Sequence, residues 1–185
     1  MDLLLIISVV WTASEIILAR WKHSSPSSSQ HDRLSLRVLW TAIALSISAG
    51  VWISIGGYGF IAPGHHLITW SGLLLILAGL VVRWAAILTL RKYFTVDVSI
   101  RSDHKIVRTG LYRYLRHPAY SGSLLSFFGL AISYSNWVSA IVIFVPITIA
   151  FLYRIKVEEE ALMSFFGAEY VNYCAATYRL IPGIY

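Results

Sequence analysis

The sequence predicts an all-α membrane protein, a polytopic bundle of about five transmembrane helices. Three observations lead there. Of the 185 residues, 57% are hydrophobic and only 13% charged, with a mean hydropathy of +0.68, a balance outside the range of soluble domains. The apolar residues fall into long runs, and the loops between those runs divide into strongly basic and uncharged sets. The length suits one compact unit, so residues 1–185 are read as a single membrane domain. Residues 1–90 supply three membrane helices, and residues 91–185 supply a helical hairpin and the loops that bear most of the chemistry.

The apolar runs are Leu3 to Ala19, Val38 to Ile55, Leu67 to Leu90, Ala119 to Tyr134 and Trp137 to Tyr153. Each is close to the ~17–25 residues that cross a hydrocarbon core as helix. The first is expected to be retained, because Asp2 stands where a cleaved leader carries basic residues and no small-x-small cleavage pattern follows. The fourth and fifth are separated only by Ser135 and Asn136, which predicts a tight hairpin whose first arm is short. The SSPSSSQ run from Ser24 to Gln30 reads as a flexible connector, and the loop around Gly56, Gly57, Gly59, Pro63 and Gly64 as a turn-rich one.

Orientation follows from lysine and arginine. Arg20, Lys22, Arg33 and Arg37 lie between the first two runs, and Arg91, Lys92, Arg101, Lys105, Arg108, Arg113 and Arg116 between the third and fourth. Arg154, Lys156 and Arg179 follow the fifth, whereas the loop from Gly56 to His66 and the Ser135–Asn136 turn have neither residue. The positive-inside rule puts the N-terminus outside and the basic loops and C-terminus in the cytoplasm. The net charge of +6 is therefore directed to anionic headgroups or an anionic ligand rather than to nucleic acid. Cys174 is the single cysteine, with no spacing that suggests a disulfide or a metal site. Glu15 and Arg83 fall inside membrane runs, where a charge is a functional hypothesis by default. Both lie in cytoplasmic halves and Glu15 is close to Arg20, so both are expected to be boundary residues that snorkel. The tryptophans read as packing or interface anchors.

Two segments carry chemistry. In GLYRYLRHPAYSG, Gly110 to Gly122, Pro118 disfavours helix at His117 and suits the first turn of the following helix. Such a helix start attracts a carboxylate or another anion, with Arg116 and His117 as side-chain donors and Tyr112, Tyr114 and Tyr120 beside them. The competing reading is a basic, aromatic anchor for headgroups. The second segment, RIKVEEEALMSFFGAEYVNY, runs from Arg154 to Tyr173. On a continuing helix Arg154 and Glu158 share a face, while Glu158, Glu159 and Glu160 cannot all share it. Arg116 or His117 could partner one of these carboxylates. Lys156 and Glu160 are not distinguished from ordinary exposed charges.

HKIV at His104 to Val107, LYRYLRHPAYSG at Leu111 to Gly122 and EEEALMSFFGAEYVNYC at Glu158 to Cys174 resemble the isoprenylcysteine carboxyl methyltransferase family. The resemblance covers roughly the C-terminal half, and the first two helices carry none of its motifs. It implies a membrane enzyme that moves a methyl group from S-adenosylmethionine to the C-terminal carboxylate of a prenylated cysteine, leaving S-adenosylhomocysteine. Residues 91–185 would then be the cofactor-binding and catalytic region, on the cytoplasmic side. Carried over by position, the cofactor-binding residues would be His104, Lys105, Ile106, Val107, Tyr112, His117, Pro118, Ala119, Tyr120 and Glu158. Arg154 would be the catalytic, substrate-binding residue. A family contact that is commonly glutamine falls near Asp97, where this sequence departs.

The implied chemistry needs no general base, because an α-carboxyl group with a pKa of about 3.3–3.7 is ionised at neutral pH. Alignment is the protein's task, and a water-poor site favours a step in which opposite charges are consumed. Arg154 suits a two-bond clamp on the substrate carboxylate, Glu158 the cofactor amino group, and His117 with the helix start the cofactor carboxylate. The substrate would be lipophilic and arrive laterally among membrane lipids. Three other readings compete: a sterol-reductase-like enzyme using NADPH, from the resemblance of YCAATYRLIPGIY at Tyr173 to Tyr185; a phospholipid N-methyltransferase; and a non-enzymatic lipid-binding protein.

Overall fold

A computed structural model describes residues 2–21, 30–57, 59–61, 66–95 and 104–185. In chain order, helices form at Asp2–Trp21 (α1), Gln30–Ile55 (α2), His66–Leu90 (α3), Pro118–Ser133 (α4), Trp137–Phe166 (α5) and Ala168–Ala175 (α6). Single 3-10 turns lie at Arg91–Tyr93 and Gly110–Arg113. Among the described residues the only extended pairing is two isolated bridges, Phe60 with Asn136 and Leu115 with Tyr178. The fold is the expected all-helical membrane architecture.

Among the described residues, three helical spans are long and apolar enough to cross a membrane: Asp32–Ile55, His66–Tyr93 and Trp137–Phe166. α4 has 16 residues, about 24 Å at 1.5 Å per residue, short of the ~30 Å hydrocarbon core. Two boundaries differ from the sequence expectation. α2 begins at Gln30 instead of Val38, because the polar start turns Asp32 and Ser35 inward, where both are buried. α5 continues thirteen residues past Tyr153, to Phe166, which carries Arg154 and Glu158 on one unbroken helix. α6 was not expected as a separate element. It starts after Gly167, whose φ of 54° suits a residue without a Cβ.

The centre of the bundle is the α3–α4 contact, where small residues let two backbones meet. A Cβ on Gly79 would lie 2.4 Å from the Gly122 carbonyl oxygen, and one on Gly72 would lie 2.6 Å from that of Gly129. Ser126 uses the same proximity to donate to the Ile76 carbonyl at 3.0 Å. α2 packs on α5 in a similar way, with Ser139 donating to the Gly50 carbonyl at 2.9 Å. The α4–α5 hairpin closes where predicted: the Asn136 side chain accepts from the amides of Val138 and Ser139, both at 3.0 Å, a helix N-cap that satisfies two otherwise orphan donors. Ile76, Ile143 and Ile147 fill the middle, fully buried. α1 joins this core through Trp11, whose ring lies 4.8 Å from that of Phe127.

Candidate active site

The site is built where the start of α4, the end of α5 and the chain after α6 meet. Pro118 occupies the first turn of α4, and the His117 carbonyl accepts from the amides of Tyr120 and Ser121, each at 3.0 Å. The preceding residues are held by the C-terminal segment: the Arg116 amide donates to Tyr178 at 2.8 Å, the His117 amide to Arg179 at 3.2 Å, and the Tyr178 amide back to Tyr114 at 2.9 Å. The Tyr173 hydroxyl donates to the Tyr112 carbonyl at 2.7 Å. Burial pushes the Tyr112, Tyr170 and Tyr173 phenols well above their usual range, so they act as neutral hydroxyls at any physiological pH.

Glu159 is the electrostatic centre of this corner. It is 3% exposed and pairs with Arg116 Nε at 3.0 Å, Arg179 Nη2 at 2.7 Å and His117 Nε2 at 3.3 Å. Arg116 Nη1 also donates to the carbonyls of Cys174 and Thr177, at 2.8 and 3.0 Å. The expectation that Arg116 or His117 would meet one of the three carboxylates is met by both, at Glu159. Glu158, one residue earlier, is half-buried on the cavity side, where its Oε2 accepts from the Tyr120 hydroxyl at 2.7 Å. The ring of Tyr120 lies against that of His117, with centroids 5.6 Å apart and planes 18° from parallel.

These groups open on a cavity of about 610 Å³, within the ~300–1,000 Å³ of small-molecule sites. Of the residues that the sequence nominates, His104, Lys105, Ile106, Val107, Tyr112, His117, Ala119, Tyr120, Glu158 and Arg154 all line it. Pro118, buried as the first residue of α4, does not. Asp97 lies outside the described residues. Residues 104–107, outside any helix, line one wall, and the His104 ring packs near those of Tyr93 and Phe166, at 4.9 and 5.9 Å. Among the described residues, the backbone of residues 105–107 makes no bond to other backbone, so its N–H and C=O groups suit the edge of a planar heterocycle. Leu39, Trp40, Ile43 and Ile47 of α2 with Phe127 and Leu130 of α4 supply an apolar part of the wall, and Glu15, Arg83 and Ser123 a polar one.

Two features depart from the sequence reading. Arg154 is 1% exposed and ion-paired to Asp32 of α2; its Nη1 also donates to the Ser35 hydroxyl at 2.7 Å and the Asp32 carbonyl at 3.1 Å. Glu15 and Arg83, expected to snorkel separately, pair with each other instead. Arg83 donates Nε and Nη2 to the two oxygens of Glu15, both at 2.6 Å, and Nη1 to Ser123 at 2.8 Å. Charges in a low-dielectric interior need such partners, and this pair ties α1 to α3 across the cavity wall. Asp32, Ser35 and Glu159 were missed as site neighbours, though the pattern held a signal. Asp32, Ser35 and Leu39 fall at i, i+3 and i+7, and Phe151, Arg154, Ile155, Glu158 and Glu159 at i, i+3, i+4, i+7 and i+8, each one helical face.

The model of the isoprenylcysteine carboxyl methyltransferase family matches residues 72–164. The chain belongs to that family. The matched stretch runs from α3 through the α4–α5 hairpin and includes every nominated site residue. Protein-S-isoprenylcysteine O-methyltransferase B of Arabidopsis thaliana is 40% identical over 120 residues, 64% of this chain and 61% of that protein. The protein-S-isoprenylcysteine O-methyltransferase of Saccharomyces cerevisiae is 36% identical over 109 residues, 58% of this chain and 46% of that one. A solved structure of a eukaryotic intramembrane Ras methyltransferase of the family superposes with a TM-score of 0.63 at 29% identity, covering 78% of this chain and 52% of that one. The chain thus spans about three-fifths of the plant relative's length and about half of the solved one's.

Proposed function

We propose that this chain is an S-adenosylmethionine-dependent methyltransferase acting on the C-terminal carboxylate of a prenylated cysteine, or of a similar lipophilic thiol acid. One observation carries the reading: a single cavity joins a polar end, containing Glu158, Tyr120, His117, Arg154 and residues 104–107, to an apolar trough between α2 and α4. A substrate with a carboxylate head and an isoprenoid tail needs both ends in one continuous space, and the family relationship supplies the chemistry between them.

The donor set suits S-adenosylmethionine. Glu158 would take the cofactor's amino group, with Tyr120 fixing its carboxylate; the backbone of residues 105–107 would meet the adenine edge, and His117 at the start of α4 would receive the carboxylate. Tyr112, Ala119 and Val107 would close the pocket around the ring system. When bound, the cofactor supplies an electrophilic methyl group. Arg154 would orient the substrate carboxylate, and the apolar wall would exclude the water that otherwise stabilises the opposite charges. No residue has to remove a proton, since the carboxylic acid is already ionised.

In the membrane we infer five crossings, with α1 and α4 added to the three long spans, the N-terminus outside and the basic loops with the site on the cytoplasmic side. Residues 1–185 act as one unit, residues 91–185 holding both cofactor and substrate head. The test uses purified protein in detergent. Calorimetry is expected to show S-adenosylmethionine binding and none by NADPH, and tritiated methyl is expected to enter a farnesylated cysteine analogue but not phosphatidylethanolamine. Cofactor binding with label only in the phospholipid would reassign the nucleophile to an amine; absence of cofactor binding would refute the reading altogether.

A further inference from the structure

The side chains that line the cavity differ in how far they reach the outside, and those differences locate its mouths. Among the described residues, the exposed lining side chains are Thr12 of α1, Trp40, Ala44 and Ser48 of α2, and Lys105 before α4. Lys105 belongs to the basic loop and marks an opening towards water. The other four lie on helices, three of them within the apolar span Asp32–Ile55. Leu36, Trp40, Ala44 and Ser48, all lining the cavity, recur every four residues and so form one stripe along α2, about 18 Å long at 1.5 Å per residue. The cavity is therefore open sideways along α2, bordered by α1 at Thr12. The packing accounts for the gap. α2 is fastened to α5, by Ser139 on the Gly50 carbonyl at 2.9 Å and by Asp32 on Arg154. α1 is fastened to α3 by Glu15 on Arg83 at 2.6 Å, and to α4 by Trp11 on Phe127, with ring centroids 4.8 Å apart. Helices adjacent in sequence thus belong to different parts of the bundle, and the small side chains of Ala44 and Ser48 leave the space between them unfilled.

Resting on the activity proposed above, we infer that the slot between α1 and α2 is where the isoprenoid tail of the substrate enters from the bilayer and lies. Its position connects it to the chemistry: Leu36, at one end of the stripe, is one helical turn from Asp32, the partner of Arg154, so the slot leads to the polar end of the cavity. Its shape fits the cargo. Four carbon–carbon bonds of about 1.5 Å advance each isoprene unit by about 5 Å, so a three-unit tail spans about 15 Å, within the length of the stripe. A slot open along that length admits the tail sideways while the carboxylate stays at the depth of Arg154 and Glu158. Threading end-on through a closed tunnel would instead draw a charged head through hydrocarbon, which is costly. Both helices lie outside residues 72–164, the stretch matched to the family, so the family relationship does not by itself assign this doorway.

The test places tryptophan at two neighbouring positions of α2. Ala44→Trp fills the slot, whereas Leu45 is 66% exposed at the same depth and does not line the cavity. Tritiated methyl transfer to a farnesylated thiol acid is followed per folded protein, with cofactor affinity measured on the same preparations. Ala44→Trp is expected to raise KM for that substrate about tenfold, the effect of displacing roughly two tail carbons from apolar contact, at unchanged S-adenosylmethionine affinity. Leu45→Trp is expected to match wild type. An unchanged KM in Ala44→Trp, or an equal rise in both variants, overturns the proposal. If Ala44→Trp yields no folded protein, labelling of the wild type decides. A farnesylated thiol acid with a diazirine at the end of its tail is expected to crosslink between Trp40 and Ser48 on illumination, and excess unlabelled substrate to suppress those adducts. Suppressible adducts confined to other helices, or none at all, overturn the slot. A wild type that binds S-adenosylmethionine yet methylates no prenylated thiol acid refutes the activity itself, and the slot loses its occupant with it. Normal methylation by the wild type beside an Ala44→Trp variant of equal KM refutes the slot alone.

Discussion

Glu159→Gln changes little in shape but removes the charge that gathers three elements. Glu159 meets Arg116 from before α4, His117 at its start and Arg179 from the C-terminal segment, at 3.0, 3.3 and 2.7 Å. The Arg179 side chain is 33% exposed and its pair is partly screened, whereas that of Arg116 is 12% exposed, so the Arg116 pair dominates. Removing one partner of a buried pair costs about 3–5 kcal/mol. Glutamine retains an acceptor oxygen, and Arg116 keeps the carbonyls of Cys174 and Thr177, so the lower end, about 3 kcal/mol, applies. At about 1.4 kcal/mol per decade, that is roughly a hundredfold more frequent opening of the corner. The reporters are the amides of Arg116, His117 and Tyr178, which bond across this junction at 2.8, 3.2 and 2.9 Å. Hydrogen–deuterium exchange in detergent should show them exchanging about a hundredfold faster in Glu159→Gln, while Glu158→Gln, one residue away and bonded to Tyr120 on the cavity side, leaves them as in wild type. Protection within threefold of wild type in Glu159→Gln, or an equal loss in Glu158→Gln, would refute the assignment of Glu159 as the organising carboxylate.

Glu158→Gln should instead weaken S-adenosylmethionine binding about ten- to a hundredfold by calorimetry, the worth of one charged hydrogen bond, and unchanged affinity would remove it from the pocket. Arg154→Lys keeps the charge and loses the planar fork; methyl transfer should fall about ten- to a hundredfold at constant cofactor affinity, and a collapse of cofactor binding would place the residue in the cofactor pocket. Gly79→Ala puts a Cβ 2.4 Å from the Gly122 carbonyl oxygen and 2.6 Å from the Ser126 amide nitrogen; with backbone on both sides, the α3–α4 contact should lose more than about 2 kcal/mol in a denaturant titration, and wild-type stability would show that the helices do not meet there. Cysteines introduced at Gly57 and Lys105 should label from opposite sides of the membrane; labelling from one side would overturn the five-crossing layout.

Much of this protein is determined by the sequence alone, because hydropathy and local stereochemistry act over one or two helical turns. The apolar runs specify helices, three of them long and apolar enough to cross a membrane, Pro118 specifies where α4 starts, and Ser135–Asn136 specifies the hairpin, with Asn136 supplying the cap. Periodicity also puts Arg154 and Glu158 on one face of α5. The motif segments at His104–Val107, Leu111–Gly122 and Glu158–Cys174 identify the family before any coordinates are known.

Partner choice is another matter, and only the tertiary structure decides it. Arg154 is expected to clamp the substrate carboxylate; the fold also pairs it with Asp32, 122 residues away. Glu15 is close to Arg20 in the sequence, yet it meets Arg83, 68 residues along the chain. Of three adjacent glutamates, Glu159 binds the arginines and Glu158 faces the cavity, a division that hinges on the 100° rotation between successive helical residues. Periodicity says which side of a helix turns inward but not what it will meet. That depends on how deeply two helices approach and at which register, and here the approach is set by backbone contact at Gly72, Gly79, Gly122 and Gly129. A charge in a low-dielectric interior then takes whichever counter-charge this packing brings within reach.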